Sequence, residues 1–149
     1  MEGFKFRELK NDPQQFFQIL PEDWQDEIVP FWDTYKTDSK IYIIEDDTGI
    51  VGGGIVFYKS PPNFEYFETD AKAWFDKGYG YLGFIWISEP YRNKSLGSFW
   101  LNQLKSENPQ QRYFLLTEEE HLHHFYLKNG FVCSRSLHNE DHLEWLYHT

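Results

Sequence analysis

The spacing of apolar positions along this chain changes several times, and each change marks an element. Phe4, Phe6 and Leu9 stand among charged residues in a short period-two pattern, which predicts a first strand ending near Asn11. Asp12-Pro13 is a helix-start pair, after which Phe16, Phe17 and Leu20 fall on one helical face. Trp24, Ile28, Phe31, Trp32 and Tyr35 recur at spacings of three and four, predicting a second helical stretch that Pro30 kinks or interrupts. Lys40 to Glu45 and Ile50 to Tyr58 are β-branched and aromatic runs flanking the turn residues Asp46-Asp47-Thr48-Gly49, which reads as a hairpin. Gly52, Gly53 and Gly54 lie inside its second strand. They match neither nucleotide-loop pattern and predict a bulge or a close backbone approach.

Ser60 to Gly80 is a longer connection that opens with Pro61-Pro62 and carries a helical pattern at Thr69 to Lys77, with Ala71, Trp74 and Phe75 on one side. It reads either as a lid or as an insertion packed on the surface or on a second copy of the chain. Tyr81 to Ile87 is apolar at nearly every position, as expected of a central strand buried on both faces. Leu96, Phe99, Trp100, Leu101 and Leu104 then define an amphipathic helix ending between Ser106 and Pro109, and Tyr113 to Thr117 predicts another buried strand. Thr117 and Glu120 form a capping-box pattern, Leu122, Phe125 and Tyr126 share a helical face, and Gly130 supplies a stop. Phe131 to Leu137 and Leu143 to Tyr147 read as a final strand pair joined by the polar stretch His138 to Asp141. The order predicts a single α/β domain over residues 1–149, a mixed sheet with helices on both faces.

Charge narrows the partners. With a net charge of -10 the chain lacks the basic field that recruits a phosphate backbone, so no nucleic-acid partner is expected; the acidity suits cationic small molecules or basic peptides, or serves solubility alone. Cys133 is the sole cysteine, which rules out an internal disulfide and a cysteine-based zinc site and points to a reducing compartment. Met1 to Lys10 lacks the apolar stretch of a signal peptide and no run is long and apolar enough for a bilayer, so a soluble cytoplasmic protein without membrane association is expected. All six histidines lie between His121 and His148 without regular ligand spacing, so no metal is expected.

Candidate chemistry concentrates in one loop. A buried strand that ends at Ile87 and turns through Ser88-Glu89-Pro90-Tyr91-Arg92-Asn93-Lys94-Ser95-Leu96-Gly97 into a helix presents several orphan N–H groups at one point. Together with the helix dipole they attract an anion, small residues (Ser95, Gly97, Ser98) let a phosphate approach, and Arg92 and Lys94 add charge. Tyr91 to Gly97 resembles the acetyl-CoA loop of the GNAT superfamily of N-acetyltransferases, whose pattern is Gln or Arg, two residues, Gly, one residue, Gly or Ala. Arg92 and Gly97 match, and Ser95 stands where the first glycine is usual. A serine there carries strain if the position needs a positive φ. Phe125-Tyr126-Leu127-Lys128-Asn129-Gly130-Phe131 resembles the family's late helix and following strand, with Glu119 where the family often has Asn.

The resemblance implies a cofactor site for acetyl-CoA, as co-substrate, built from Ile85, Trp86, Ile87, Arg92, Asn93, Lys94, Ser95, Leu96, Gly97 and Ser98. It implies direct attack of a primary amine, on a small molecule or a peptide, on the acetyl thioester beside the central strand. A backbone N–H near Ile87 would meet the oxyanion, and Tyr126 would serve the departing thiolate as the catalytic residue. On its apolar face Tyr126 also reads as a core tyrosine. The general base is left open among Glu45, Glu89, Tyr81 and a water chain, and Trp24, Trp32 and Trp74 suit a cationic, partly apolar acceptor. The same loop would equally serve an O-acyltransferase, a longer acyl-CoA, or a CoA-binding or regulatory module without turnover. An exposed aromatic face in Ser60 to Gly80 would favour a homodimer.

Overall fold

Period-two alternation along seven strands sends side chains to opposite faces of one mixed sheet, and each face is covered by helices. The computed structural model describes residues 1–139 and 141–149; Glu140, within the expected joining stretch, lies outside them. In chain order the strands are β1 (Lys5–Leu9), β2 (Ser39–Asp46), β3 (Gly49–Phe57), β4 (Tyr79–Ile87), β5 (Arg112–Thr117), β6 (Val132–Asn139) and β7 (His142–His148). The sheet order is β1-β2-β3-β4-β5-β7-β6, so the last hairpin inserts β7 beside β5. Among the described residues only the β4–β5 pair is parallel.

The helices are α1 (Gln14–Phe17), α2 (Glu22–Ile28), α3 (Trp32–Tyr35), α4 (Glu68–Asp76), α5 (Leu96–Glu107) and α6 (His123–Lys128). On one face Leu96, Trp100, Leu101 and Leu104 of α5 and Tyr126 of α6 meet Tyr42, Ile44, Val56, Tyr113, Leu115 and Tyr147. On the other, Phe16, Phe17 and Ile28 meet Ile41, Ile43, Ile55 and Phe57, while Phe64, Phe67 and Ala71 cover Phe114 and Leu146. The expected interruption at Pro30 is a 3₁₀ turn, Val29–Phe31, between α2 and α3. Among the described residues no helix is long and apolar enough to cross a membrane.

Three local expectations change. The stretch after Asp12 makes only one turn of α-helix, and Asp12 itself has φ 51° and gives no side-chain cap. Thr117 does not cap α6 through a capping box: it ends β5, its Oγ1 accepts the Glu119 N–H at 3.0 Å, and a 3₁₀ turn over Glu120–Leu122 intervenes. Its side chain closes a local turn, which competes with a helix cap. The central strand is not buried on both faces throughout. From Gly83 to Ile87 it is only partly buried, because its register with β5 covers just Tyr79, Gly80 and Tyr81.

A close approach explains the triple glycine. A Cβ on Gly54 would lie 2.7 Å from the Trp100 ring, and one on Gly53 would lie 2.5 Å from the Tyr42 carbonyl oxygen. Trp100 lies across β3 and donates its indole N–H to that same Tyr42 carbonyl at 3.0 Å.

Candidate active site

The site begins with a bulge in β4. Gly83 pairs with Ile55 and Trp86 with Gly53, so two steps along β3 match three along β4, and Phe84 and Ile85 have no register partner. Phe84 has φ 55° and absorbs the extra residue. Leu82 consequently packs on the α5 face, whereas Phe84, two residues on, packs with the α1–α3 side. Past Tyr81 the strand also leaves β5. The two strands splay, and a cleft of ≈ 790 Å³ opens between them.

The cleft reaches both faces of the sheet. Leu82, Ile85, Leu115, Leu122 and Tyr126 line it from the α5–α6 side, and Trp24, Phe64, Tyr66, Tyr81, Phe84 and Glu144 from the other. Tyr126 is 6% exposed, packs its ring on Phe125, Phe131 and Tyr147, and makes no hydroxyl hydrogen bond among the described residues. Burial, reinforced by Tyr147, pushes its hydroxyl up to about 12, so it is a neutral donor at physiological pH.

The loop after β4 lies on the α5 side of this cleft. The Ser95 backbone is left-handed, φ 63° and ψ 21°, as is that of Asn93, φ 63°, and these two residues swing the chain into α5. The first helical bond closing on the loop is Phe99 N–H to the Ser95 carbonyl, 3.0 Å. The backbone N–H groups of Asn93, Lys94, Ser95, Leu96, Gly97 and Ser98 make no hydrogen bond among the described residues. Such a row of free donors at the start of a helix fits an anionic pyrophosphate.

Side chains in the loop have other duties. Arg92 donates Nε–H to the Ile87 carbonyl at 2.9 Å and stacks its guanidinium 4.5 Å over Trp86, bracing the strand end against the loop. Ser98 Oγ accepts from Asn129 Nδ2 at 3.1 Å, and a Cβ on Gly97 would lie 3.0 Å from the Phe125 ring. Gly97 therefore lets α5 dock on α6, a reason for its size beyond phosphate approach. Lys94 is exposed. Trp86 and Ile87 pair with Gly53 and Gly52, and of the three β4 candidates Ile85 alone lines the cleft.

The opposite side of the cleft is acidic. Asp23 and Glu27 project from α2, Glu118 and Glu119 follow β5, and Glu144 comes from β7; among the described lining residues none is Lys or Arg. Glu144 is only 9% exposed, and its Oε1 accepts the Tyr66 hydroxyl at 2.5 Å. Burial raises its carboxyl above the ordinary range, with the Glu118 charge adding, while the Tyr66 hydrogen bond works against both. Glu27 is raised by partial burial and by Asp23 and Glu118. Tyr81 is raised strongly, first by burial and then by Glu144.

Sequence reasoning missed Glu144, Tyr66 and Glu27. Glu144 could have been found from strand alternation, since it shares a face with the core residue Leu146. The base candidates divide. Tyr81 lines the cleft, Glu89 sits exposed on the 3₁₀ turn after β4, and Glu45 is held by Arg7 through bonds of 2.8 and 3.2 Å on the outer strands, which lowers its carboxyl. Trp24 lines the cleft against Phe84 and Trp86, whereas Trp32 packs on Phe17 and Trp74 on Phe114. The connection Ser60 to Gly80 walls the cleft with Pro61, Pro62, Asn63 and Phe64, and its aromatics Phe64 and Phe67 point inward. His142 pairs with Glu118 and His121 with Glu119, while His123 bonds the Tyr147 hydroxyl.

A seven-stranded mixed sheet whose β4 and β5 splay beside the loop into α5 is the acyl-CoA N-acyltransferase fold. The family model described as acetyltransferase (GNAT) family matches residues 6–131, and the chain belongs to that family. An aminoglycoside 6'-N-acetyltransferase complexed with coenzyme A is similar with TM-score 0.71 at 14% identity, covering 97% of this chain and 96% of that one. A GNAT family acetyltransferase from Elizabethkingia anophelis with acetyl-CoA bound gives 0.66 at 14%, covering 100% and 99%. A GNAT family acetyltransferase from Bacillus cereus ATCC 10987 gives 0.67 at 19%, covering 98% and 96%. At these identities the structures bear on the fold. No curated protein matches the sequence.

Proposed function

We propose that this protein transfers acetyl from acetyl-CoA to a primary amine of a small molecule or peptide. The observation that carries the reading is the cleft through the sheet, with free backbone donors on one side and carboxylates on the other. The row Asn93 to Ser98 holds the pyrophosphate through backbone N–H groups, so affinity rests on main-chain geometry, with Lys94 adding a charge. Bound acetyl-CoA supplies an activated thioester as electrophile.

The β4 backbone at Phe84 and Ile85, free of a β3 partner, offers the donor that meets charge developing on the acyl oxygen. An amine is preferred over a hydroxyl acceptor because it arrives as a cation, and five carboxylates line its approach. It must shed a proton before attack, since an alkylammonium with a pKa of roughly 10 has no lone pair. Glu144, the buried carboxylate at the β7 wall whose Oε2 has no partner among the described residues, is suited to take that proton directly or through water. As the new C–N bond forms and the C–S bond breaks with its electron pair on sulfur, the second N–H proton of the adduct passes to water in the cleft and Tyr126 donates a hydrogen bond to sulfur. A thiol, near pKa 8.5, is the stronger acid of the two, so Tyr126 stabilises the thiolate and keeps its own proton.

Calorimetric titration with acetyl-CoA, followed by thiol-release assays on a panel of amines, tests the reading. Binding together with acetyl-amine formation is expected; no binding at millimolar acetyl-CoA would overturn it.

A further inference from the structure

We propose that the acceptor is a small dication, a primary amine that carries a second positive group on the same molecule. This deepens, and rests on, the acetyl-transfer reading above. The amine that attacks must be neutral at that moment, so a monoamine loses its attraction to the cleft's carboxylates as it becomes reactive. Only a charge retained elsewhere on the acceptor is held from encounter through the transition state. The acidic lining is of use throughout the reaction only to a molecule with two cationic centres.

Of the five carboxylates, Glu118 and Glu119 pair with His142 and His121, and the other three fall into two groups suited to those two tasks. Glu144 belongs to the reacting end: it is buried at the β7 wall, Tyr66 donates to one of its oxygens at 2.5 Å, and the other has no partner among the described residues. Tyr126, 6% exposed, faces the same cleft from the α5–α6 side with a hydroxyl that has no partner among the described residues, an independent sign that the cleft takes a polar ligand. Asp23 and Glu27 form the second group on the exposed α2 helix, one turn apart on one face. Like charges four residues apart destabilise a helix. Neither forms an ion pair among the described residues, so a cation between them relieves a repulsion that the α2 N-terminus offsets only for Asp23, in its first turn. Trp24 and Phe84, edge to face at 5.9 Å in the same cleft, supply an apolar wall for a methylene spacer.

The experiment compares three four-carbon acceptors that differ only in the far group: putrescine, butylamine and gamma-aminobutyrate. Each is titrated into the protein saturated with coenzyme A, so binding is read whether or not turnover occurs. Putrescine is expected to bind about tenfold more tightly than butylamine, the sum of two partly exposed ion pairs, and gamma-aminobutyrate more weakly than either. In the Asp23→Asn, Glu27→Gln double variant the putrescine advantage should fall below about threefold; both side chains are exposed, and circular dichroism checks that the fold is kept. Equal binding of putrescine and butylamine, or an advantage undiminished in the double variant, overturns the proposal. Acetylation of butylamine as readily as of putrescine would leave the transfer reading standing and remove the dication. The expected binding pattern with no acetylation of any amine would do the reverse.

Discussion

Ser95 holds a left-handed backbone, φ 63° and ψ 21°, which costs a serine about 1 kcal/mol more than a glycine. The sequence places serine where the family pattern has glycine, and the structure shows the conformation already adopted. Ser95→Gly should therefore raise stability by about 0.5 kcal/mol, once the greater freedom of an unfolded glycine is offset. Acetyl-CoA affinity should stay within about threefold, because the N–H row is already formed. Thermal unfolding and calorimetry check the two halves. At Tyr126 the hydroxyl has no partner among the described residues, so Tyr126→Phe should leave the fold intact. It should lower kcat by about a hundredfold with acetyl-CoA affinity nearly unchanged; an unaltered rate where chemistry limits turnover would remove its role. Arg92 and Gly97 could be picked out from sequence spacing, but their actual contacts, with Trp86 and Phe125, depend on neighbours that spacing does not reveal.

At the scale of elements, β3 and α5 meet where Gly54 admits the Trp100 ring. A methyl at Gly54 would face two ring atoms at 2.7 and 2.8 Å, too close for adjustment without moving the indole off the Tyr42 carbonyl. Gly54→Ala is expected to cost about 2 kcal/mol, lowering the melting temperature by about 4–8 °C. The hairpin and the glycine-lined approach were legible from composition and turn residues alone. The bulge at Phe84 was not, because an aromatic residue at positive φ leaves no mark in an apolar run; only the register between β3 and β4 exposes it. The capping box at Thr117 was a misleading pattern, since the same hydroxyl closes a tighter turn.

Across the whole molecule, aromatic packing sets an alkaline limit. Tyr42, Tyr58, Tyr66, Tyr81, Tyr113, Tyr126 and Tyr147 all have hydroxyls raised above the ordinary tyrosine value, chiefly by burial. The unfolded chain loses these protons near pH 10, before the folded protein does. Unfolding thus releases protons, and the stability from these groups, fully present below pH 10, is lost as pH rises through the folded values, about 12 for Tyr42 and Tyr126. Urea midpoints should be flat in this respect from pH 8 to 9 and fall steeply above 10; a flat profile to pH 11 would contradict it.

The sequence by itself determined the order of strands and helices, the loop that ends in orphan amides, and the acidic net charge. Those features are local or compositional: periodicity, turn residues, glycine positions and net charge are all written within a few neighbouring residues or summed over the chain. Tertiary structure decided where β4 leaves β5, which side chains look into the opening, and that Glu144 meets Tyr66 across 78 residues of chain. Long-range pairing fixes those features. A one-residue bulge re-aims Phe84, and the insertion of β7 between β5 and β6 brings a carboxylate from the end of the chain to the wall of the cleft.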